Sequence, residues 1–95
     1  MPILVRNCFV TRPGNASTLA SKMKQAFAAA GVPKHRVLTD VSGDFNRVIV
    51  EFEAADAGEA ETTLRNYRSS AAFREVMAGY TDLWQSGTRE MLQIL

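Results

Sequence analysis

The chain has 95 residues, 11 Lys plus Arg against 10 Asp plus Glu, a formal charge of +1 and 46% hydrophobic residues. A chain of that length is one domain with a modest core, burying roughly 60 to 65% of its unfolded surface. The charges are scattered, and the only basic cluster is Lys34-His35-Arg36; a nucleic-acid binder normally carries a basic stripe, so no nucleic-acid partner is expected. The opening MPILVRN has neither the basic nor the apolar segment of a signal peptide, and no apolar run approaches the roughly 20 residues of a membrane span. A cytoplasmic protein with no membrane partner is expected. One cysteine, Cys8, and one histidine, His35, supply neither an internal disulfide nor a transition-metal cluster. Cys8 is expected as a small core hydrophobe.

Residues 3–11, ILVRNCFVT, predict a strand that ends at Arg12-Pro13-Gly14, where proline and glycine break the ladder. From Asn15 the period changes: Leu19, Met23 and Phe27 form a stripe at helical spacing, with Asn15 as N-cap and Gly31 as the stop. The next stretch, DVSGDFNRVIVE over 40–51, puts Asp40, Ser42, Asp44, Asn46 and Glu51 at EF-hand ligand positions. The sixth position is Phe45 where a calcium loop needs glycine, and both flanks are β-branched, so a hairpin and no metal site are expected. Gly43-Asp44 fits a two-residue type II′ turn. That turn pairs Ser42 with Phe45, Val41 with Asn46, Asp40 with Arg47, Leu38 with Ile49 and Arg36 with Glu51. Arg36, Leu38, Asp40, Arg47, Ile49 and Glu51 then share one face, and Val37, Val41, Val48, Val50 and Phe52 share the other. The charged pairs predict a solvated surface, each contributing roughly 0 to 1 kcal/mol.

After Glu53, Asp56 stands three residues before Glu59, a capping box for a helix carrying Ala60, Leu64 and Tyr67 inward. Ser70 caps a second short helix with Phe73, Val76 and Met77 on its buried side, ended by Gly79. Residues 88–95 close the chain as a strand whose two faces are poorly distinguished. The order β-α-β-β-α-β predicts an α+β, ferredoxin-like fold with both helices on one face of a four-stranded antiparallel sheet. Leu38 and Ile49 are then left in water, and a second copy packed on that face would cover them. The six residues of the charged face are therefore the expected dimer interface.

Asn7 in VRNCFV followed by PGNA, the hairpin LTDVSGDFNRVIVEFE and the closing FREVMAGYTDLWQSGTREMLQIL together resemble the dimeric α+β barrel superfamily. The nearest groups by that resemblance are NIPSNAP-type domains and antibiotic-biosynthesis monooxygenase-like proteins. The resemblance implies a homodimer with a ligand held between helices and sheet. It also implies, for the enzymes of the group, cofactor-independent oxygenation of polycyclic phenols or haem degradation. An asparagine on the first strand and a tryptophan belong to the monooxygenase site, and the resemblance matches them to Asn7 and Trp84. Haem-degrading members use a histidine in the second helical region; residues 57–80 contain none, and His35 between two cations is expected in solvent. No cofactor is expected.

Asn7 is the one strongly polar side chain in the row Ile3, Val5, Asn7, Phe9, where it either orients a ligand or bonds to neighbouring backbone. A small aromatic ligand would lie beside Asn7, Tyr67, Phe73, Met77 and Trp84, an apolar wall with few polar groups. No serine, histidine and carboxylate set suggests nucleophilic catalysis. Two functions follow: a small-molecule-binding dimer without catalysis, or a cofactor-independent monooxygenase acting on an aromatic or quinone-like substrate.

Overall fold

The computed structural model describes residues 1–95. Four strands, β1 (Ile3–Thr11), β2 (Arg36–Thr39), β3 (Arg47–Ala54) and β4 (Trp84–Gln93), form one sheet in the order β2-β3-β1-β4 with every neighbour antiparallel. Helices α1 (Ala16–Ala29), α2 (Ala57–Ser69) and α3 (Ala71–Val76), followed by a 3-10 turn at Tyr80–Asp82, complete the ferredoxin-like α+β fold expected from the sequence. The pleat sends Val5, Val48, Val50 and Phe52 to the helices, where all four are fully buried against Leu19, Met23, Phe27, Ala60 and Leu64. Each such side chain contributes roughly 1.5 to 3 kcal/mol of burial free energy, and the surfaces they cover set where the helices lie.

The helices begin and end for local reasons. Asp56 Oδ1 accepts from Glu59 N at 2.8 Å and Ser70 Oγ accepts from Phe73 N at 3.2 Å, the two predicted caps. Asn15 stands before α1 but makes no side-chain cap bond, its backbone being already near helical at φ −101°. Gly31 leaves α1 at φ 67°, and Gly79, two residues past the α3 C-cap Met77, opens the 3-10 turn at φ 80°, the left-handed conformation that costs glycine least. Lys22 Nζ reaches from α1 to the carbonyls of Val76 and Ala78, both at 3.2 Å, and ties α1 to the carboxyl end of α3.

The β2-β3 register is the expected one, Arg36 opposite Glu51 and Leu38 opposite Ile49, but the tight Gly43-Asp44 turn is absent. The ladder stops at Thr39 and Val48, and residues 40–46 form an open loop. Asp40 closes it with its side chain instead, accepting from Arg47 N at 2.9 Å and from Arg47 Nη2 at 2.8 Å. Arg47 also lies 3.9 Å from Asp44, so two of the three acidic residues of the calcium-like spacing gather round one guanidinium. Thr11, at the end of β1, holds the loop from the other side, its N and Oγ1 donating to Asn46 O at 2.7 and 3.0 Å. Val41, expected in the core, is fully exposed because it lies in this loop and no longer follows the strand's alternation. The last strand starts at Trp84, four positions before the expected Thr88, because the 3-10 turn delivers the chain directly to the sheet edge.

On the face away from the helices, the registers line up Arg36, Glu51, Arg6 and Glu90, one from each strand with alternating charge. Beside that row run Leu38, Ile49, Cys8 and Thr88, so Cys8 is half-buried on the open face and not in the core. Glu51 departs from the expected solvated surface: its side chain is 2% exposed under Arg6 Nε at 2.6 Å and Arg36 Nη2 at 2.6 Å. Burial pushes its carboxyl up, but the two guanidinium hydrogen bonds outweigh that and hold it below the usual range. A depressed folded value means the stabilisation is complete above the unfolded pKa and is lost as pH falls through the folded one. Chemical denaturation from pH 7 down to pH 2 is therefore expected to show falling stability below about pH 4.5, the ordinary value, with Glu51→Gln flattening that fall. At neutral pH Glu51→Gln is expected to cost about 1 to 2 kcal/mol, less than a fully buried pair because both arginines reach solvent.

Candidate functional site

Strand β1 is the middle of the site. Its helix-facing row runs across the sheet as Val37, Val50, Asn7 and Arg89, which places a buried amide between a valine and an edge-strand cation. Arg89 Nε donates to Asn7 Oδ1 at 2.6 Å, so the amide is satisfied by a side chain and not by neighbouring backbone. Above it lies a cavity of about 120 Å³ between the sheet and the helical layer. Asn7, Phe9 and Arg89 line its sheet side, Met23 and Phe27 come from α1, and Tyr67 and Arg68 from α2. Phe73, Met77 and Tyr80 close the remaining wall.

The wall is aromatic by local pattern. Tyr67 is the third buried position of the α2 stripe and Phe27 the last of the α1 stripe, so both arrive from helix periodicity. Their ring centroids are 4.9 Å apart, and Phe73 lies 4.9 Å from Tyr67 and 5.4 Å from Phe27, within the range of favourable aromatic pairs. Burial raises the Tyr67 pKa above that of an ordinary phenol, offset in part by Arg89, Asn7 and Arg68. The hydroxyl thus stays protonated at neutral pH, with the Asn7 amide beside it.

Of the five residues expected from the sequence, Asn7, Tyr67, Phe73 and Met77 line this cavity. Trp84 does not. As the first residue of β4 it lines an adjoining cleft with Asn7, Phe9, Tyr80, Gly87, Thr88 and Arg89. Its ring stacks on Tyr80 at 6.1 Å and 7° and meets Phe9 edge-on at 5.4 Å. Its Nε1 is buried without a hydrogen-bond partner. His35, expected in solvent, is half-buried, its Nδ1 2.6 Å from Val32 O and its ring against Phe27.

Arg89, Arg68 and Phe9 were not among the residues expected at the site. Phe9 was legible as Asn7's row-mate two positions on. Arg89 was not, because the alternation of the last strand is too weak to say which face an arginine takes. No group of three or more His, Cys, Asp or Glu side chains clusters as a metal site.

No protein-family model matches the chain, and a search of curated proteins finds no match. Solved structures do match. A NIPSNAP-like domain protein from Burkholderia xenovorans superposes with a TM-score of 0.84 at 13% identity, over 99% of this chain and 85% of that one. A NIPSNAP family protein from Agrobacterium tumefaciens gives 0.83 at 11%, over 98% and 92%. An antibiotic biosynthesis monooxygenase-like protein from Nitrosomonas europaea gives 0.74 at 8%, over 99% and 90%. At such identities the likeness is one of fold, and it is the fold of the groups the sequence resembles.

Gly87 tests the seating of Trp84. A Cβ there would lie 3.2 Å from both Phe9 Cδ1 and Trp84 Cζ3, too close for unshifted rings. Gly87→Ala is expected to cost about 1 to 2 kcal/mol and to move the emission of the single tryptophan, read by fluorescence-monitored denaturation.

Proposed function

We propose that this chain is a homodimeric domain that binds a small aromatic molecule in the cavity beside Asn7, with no residue set that demands catalysis. One observation carries the reading: a buried amide, engaged by Arg89, opens onto a half-open cavity walled by Phe27, Tyr67, Phe73 and Met77. Small-molecule sites combine apolar walls with a few placed polar groups, and this one does so where the helical layer leaves β4 uncovered. The reading takes the chain as cytoplasmic, the free thiol of Cys8 suiting a reducing compartment.

Titration of aromatic acids, phenols and quinones against the fluorescence of Trp84 tests it. At least one class is expected to bind, and Asn7→Ala to weaken it about tenfold, the worth of one hydrogen bond to a buried group. No change in fluorescence or melting temperature with any class would overturn the reading. A second reading, a cofactor-independent monooxygenase, is favoured by Asn7 and Trp84 sharing the adjoining cleft. Oxygen consumption on adding a phenol or quinone, lost in Asn7→Ala, would select it.

Pairing of two copies through the open sheet face completes the proposal. Leu38 and Leu92 are more than a third exposed there, and Val10, Cys8 and Ile49 lie half-buried beside them with no layer above. Light scattering is expected to give twice the 10.5 kDa of one chain. Ile49→Asp is expected to return it to the single-chain mass, because an unpaired buried charge costs several kcal/mol. A monomer at micromolar concentration would remove the dimer from the proposal and leave the cavity.

A further inference from the structure

The polar groups around the cavity, Asn7, Tyr67, Arg68, Tyr80 and Arg89, offer more donors than acceptors, the two hydroxyls being able to do either. A guanidinium has no acceptor, so Arg89 takes the oxygen of the Asn7 amide and leaves that amide only its NH₂ group to offer a ligand. With Nε spent on Asn7, the terminal nitrogens of Arg89 have no carboxylate within ion-pair distance. Arg68 gives its Nε to Leu64 O at 3.2 Å and is likewise free of any carboxylate. Tyr67 adds a protonated hydroxyl, and Trp84 Nε1 is a further donor, buried at the adjoining cleft and unpartnered. No Asp or Glu lines the cavity or the three spaces that share residues with it. On the opposite sheet face, by contrast, Arg6, Arg36 and Arg47 each hold a carboxylate at 2.6 to 2.8 Å.

We infer that the occupant is an aromatic carboxylate with one ring, the ring among Phe27, Phe73 and Met77 and the carboxylate on Arg89 and the Asn7 amide. The inference rests on the binding reading above and adds charge and size to it. A surplus of donors, two of them guanidiniums, is complemented by a group that only accepts, and a carboxylate matches the fork of a guanidinium with two oxygens and a full charge. A quinone offers separated neutral oxygens, and a phenol brings a donor to a site that already has an excess. The volume of about 120 Å³ decides the ring count. An apolar cavity of about 150 Å³ takes one benzene, so a fused polycycle would have to extend beyond the aromatic walls into the cleft beside them.

Benzoate and benzamide are near-isosteres that differ in charge, and calorimetric or NMR titration of both against the full chain at low salt is the test. Benzoate is expected to bind roughly 10- to 100-fold more tightly, the range of a charge-assisted hydrogen bond, with Arg89→Gln abolishing the preference. Equal binding of the two, or a preference that survives Arg89→Gln in a variant with an unchanged melting temperature, overturns the carboxylate inference and leaves the cavity reading standing. So does binding of 1-naphthol or menadione when benzoate does not bind. Failure of all four probes overturns both. If Arg89→Gln does not fold, the comparison of benzoate with benzamide on the unaltered chain still decides.

Discussion

The alternation of side chains along β1 is the constraint from which the rest follows. That strand is hydrogen-bonded on both edges, to β3 and to β4, so it cannot rotate to relieve an unfavourable contact. Its odd-numbered residues must meet the helices and its even-numbered residues must leave them. Val5 and Thr11 accept that placement at once, one by packing and the other by holding the backbone of Asn46. Asn7 cannot be satisfied by packing. A buried amide without partners would cost about 1 to 3 kcal/mol, and Arg89, directly opposite on β4, removes that cost with a 2.6 Å bond.

The two sheet faces solve their electrostatics in opposite ways. Away from the helices, cations and carboxylates alternate across the strands, and Glu51 is buried there because two guanidiniums cover it. Toward the helices, the same sheet carries one cation at its uncovered edge and an amide that has turned its only acceptor to it. The first arrangement is internally neutralised. The second is unbalanced, with spare donors beside an apolar wall, and an unbalanced site is one that an anion can complete.

Where the cavity lies follows from the shortness of the second helical region. Helix α2 spans β3 and part of β1, but α3 is only six residues long and turns away through the 3-10 segment. The helix side of β4 is left open from Gly87 onward, and nearly every residue of that strand is exposed. Gly87 has no side chain to fill the gap, so Phe9 and Trp84 close over it. The cavity exists because the aromatic side chains of three helices converge on a sheet edge that no helix covers.

Much of the fold was determined locally. Period-two runs marked β1 and the β2-β3 pair, Asp56 and Ser70 announced two helix starts, and glycines at 31 and 79 announced two ends, because each of these depends on residues within a few positions. The register Arg36 to Glu51 came from counting out of a turn that the structure does not form; it holds because the same count places Asp40 against Arg47, whose side chains close the loop in its place. Four of the cavity residues were legible for the same reason, since stripe and strand alternation aim Asn7, Tyr67, Phe73 and Met77 inward. What tertiary structure alone decided is what depends on distant residues coming together. Arg89 lies 82 positions from the amide it binds, on an edge strand whose pattern favours neither face. The burial of Glu51 needs Arg6 from another strand, 45 positions away. The ranking of the charges could not be read from sequence, because whether a carboxylate is solvated or covered is set by neighbours that only the assembled sheet supplies.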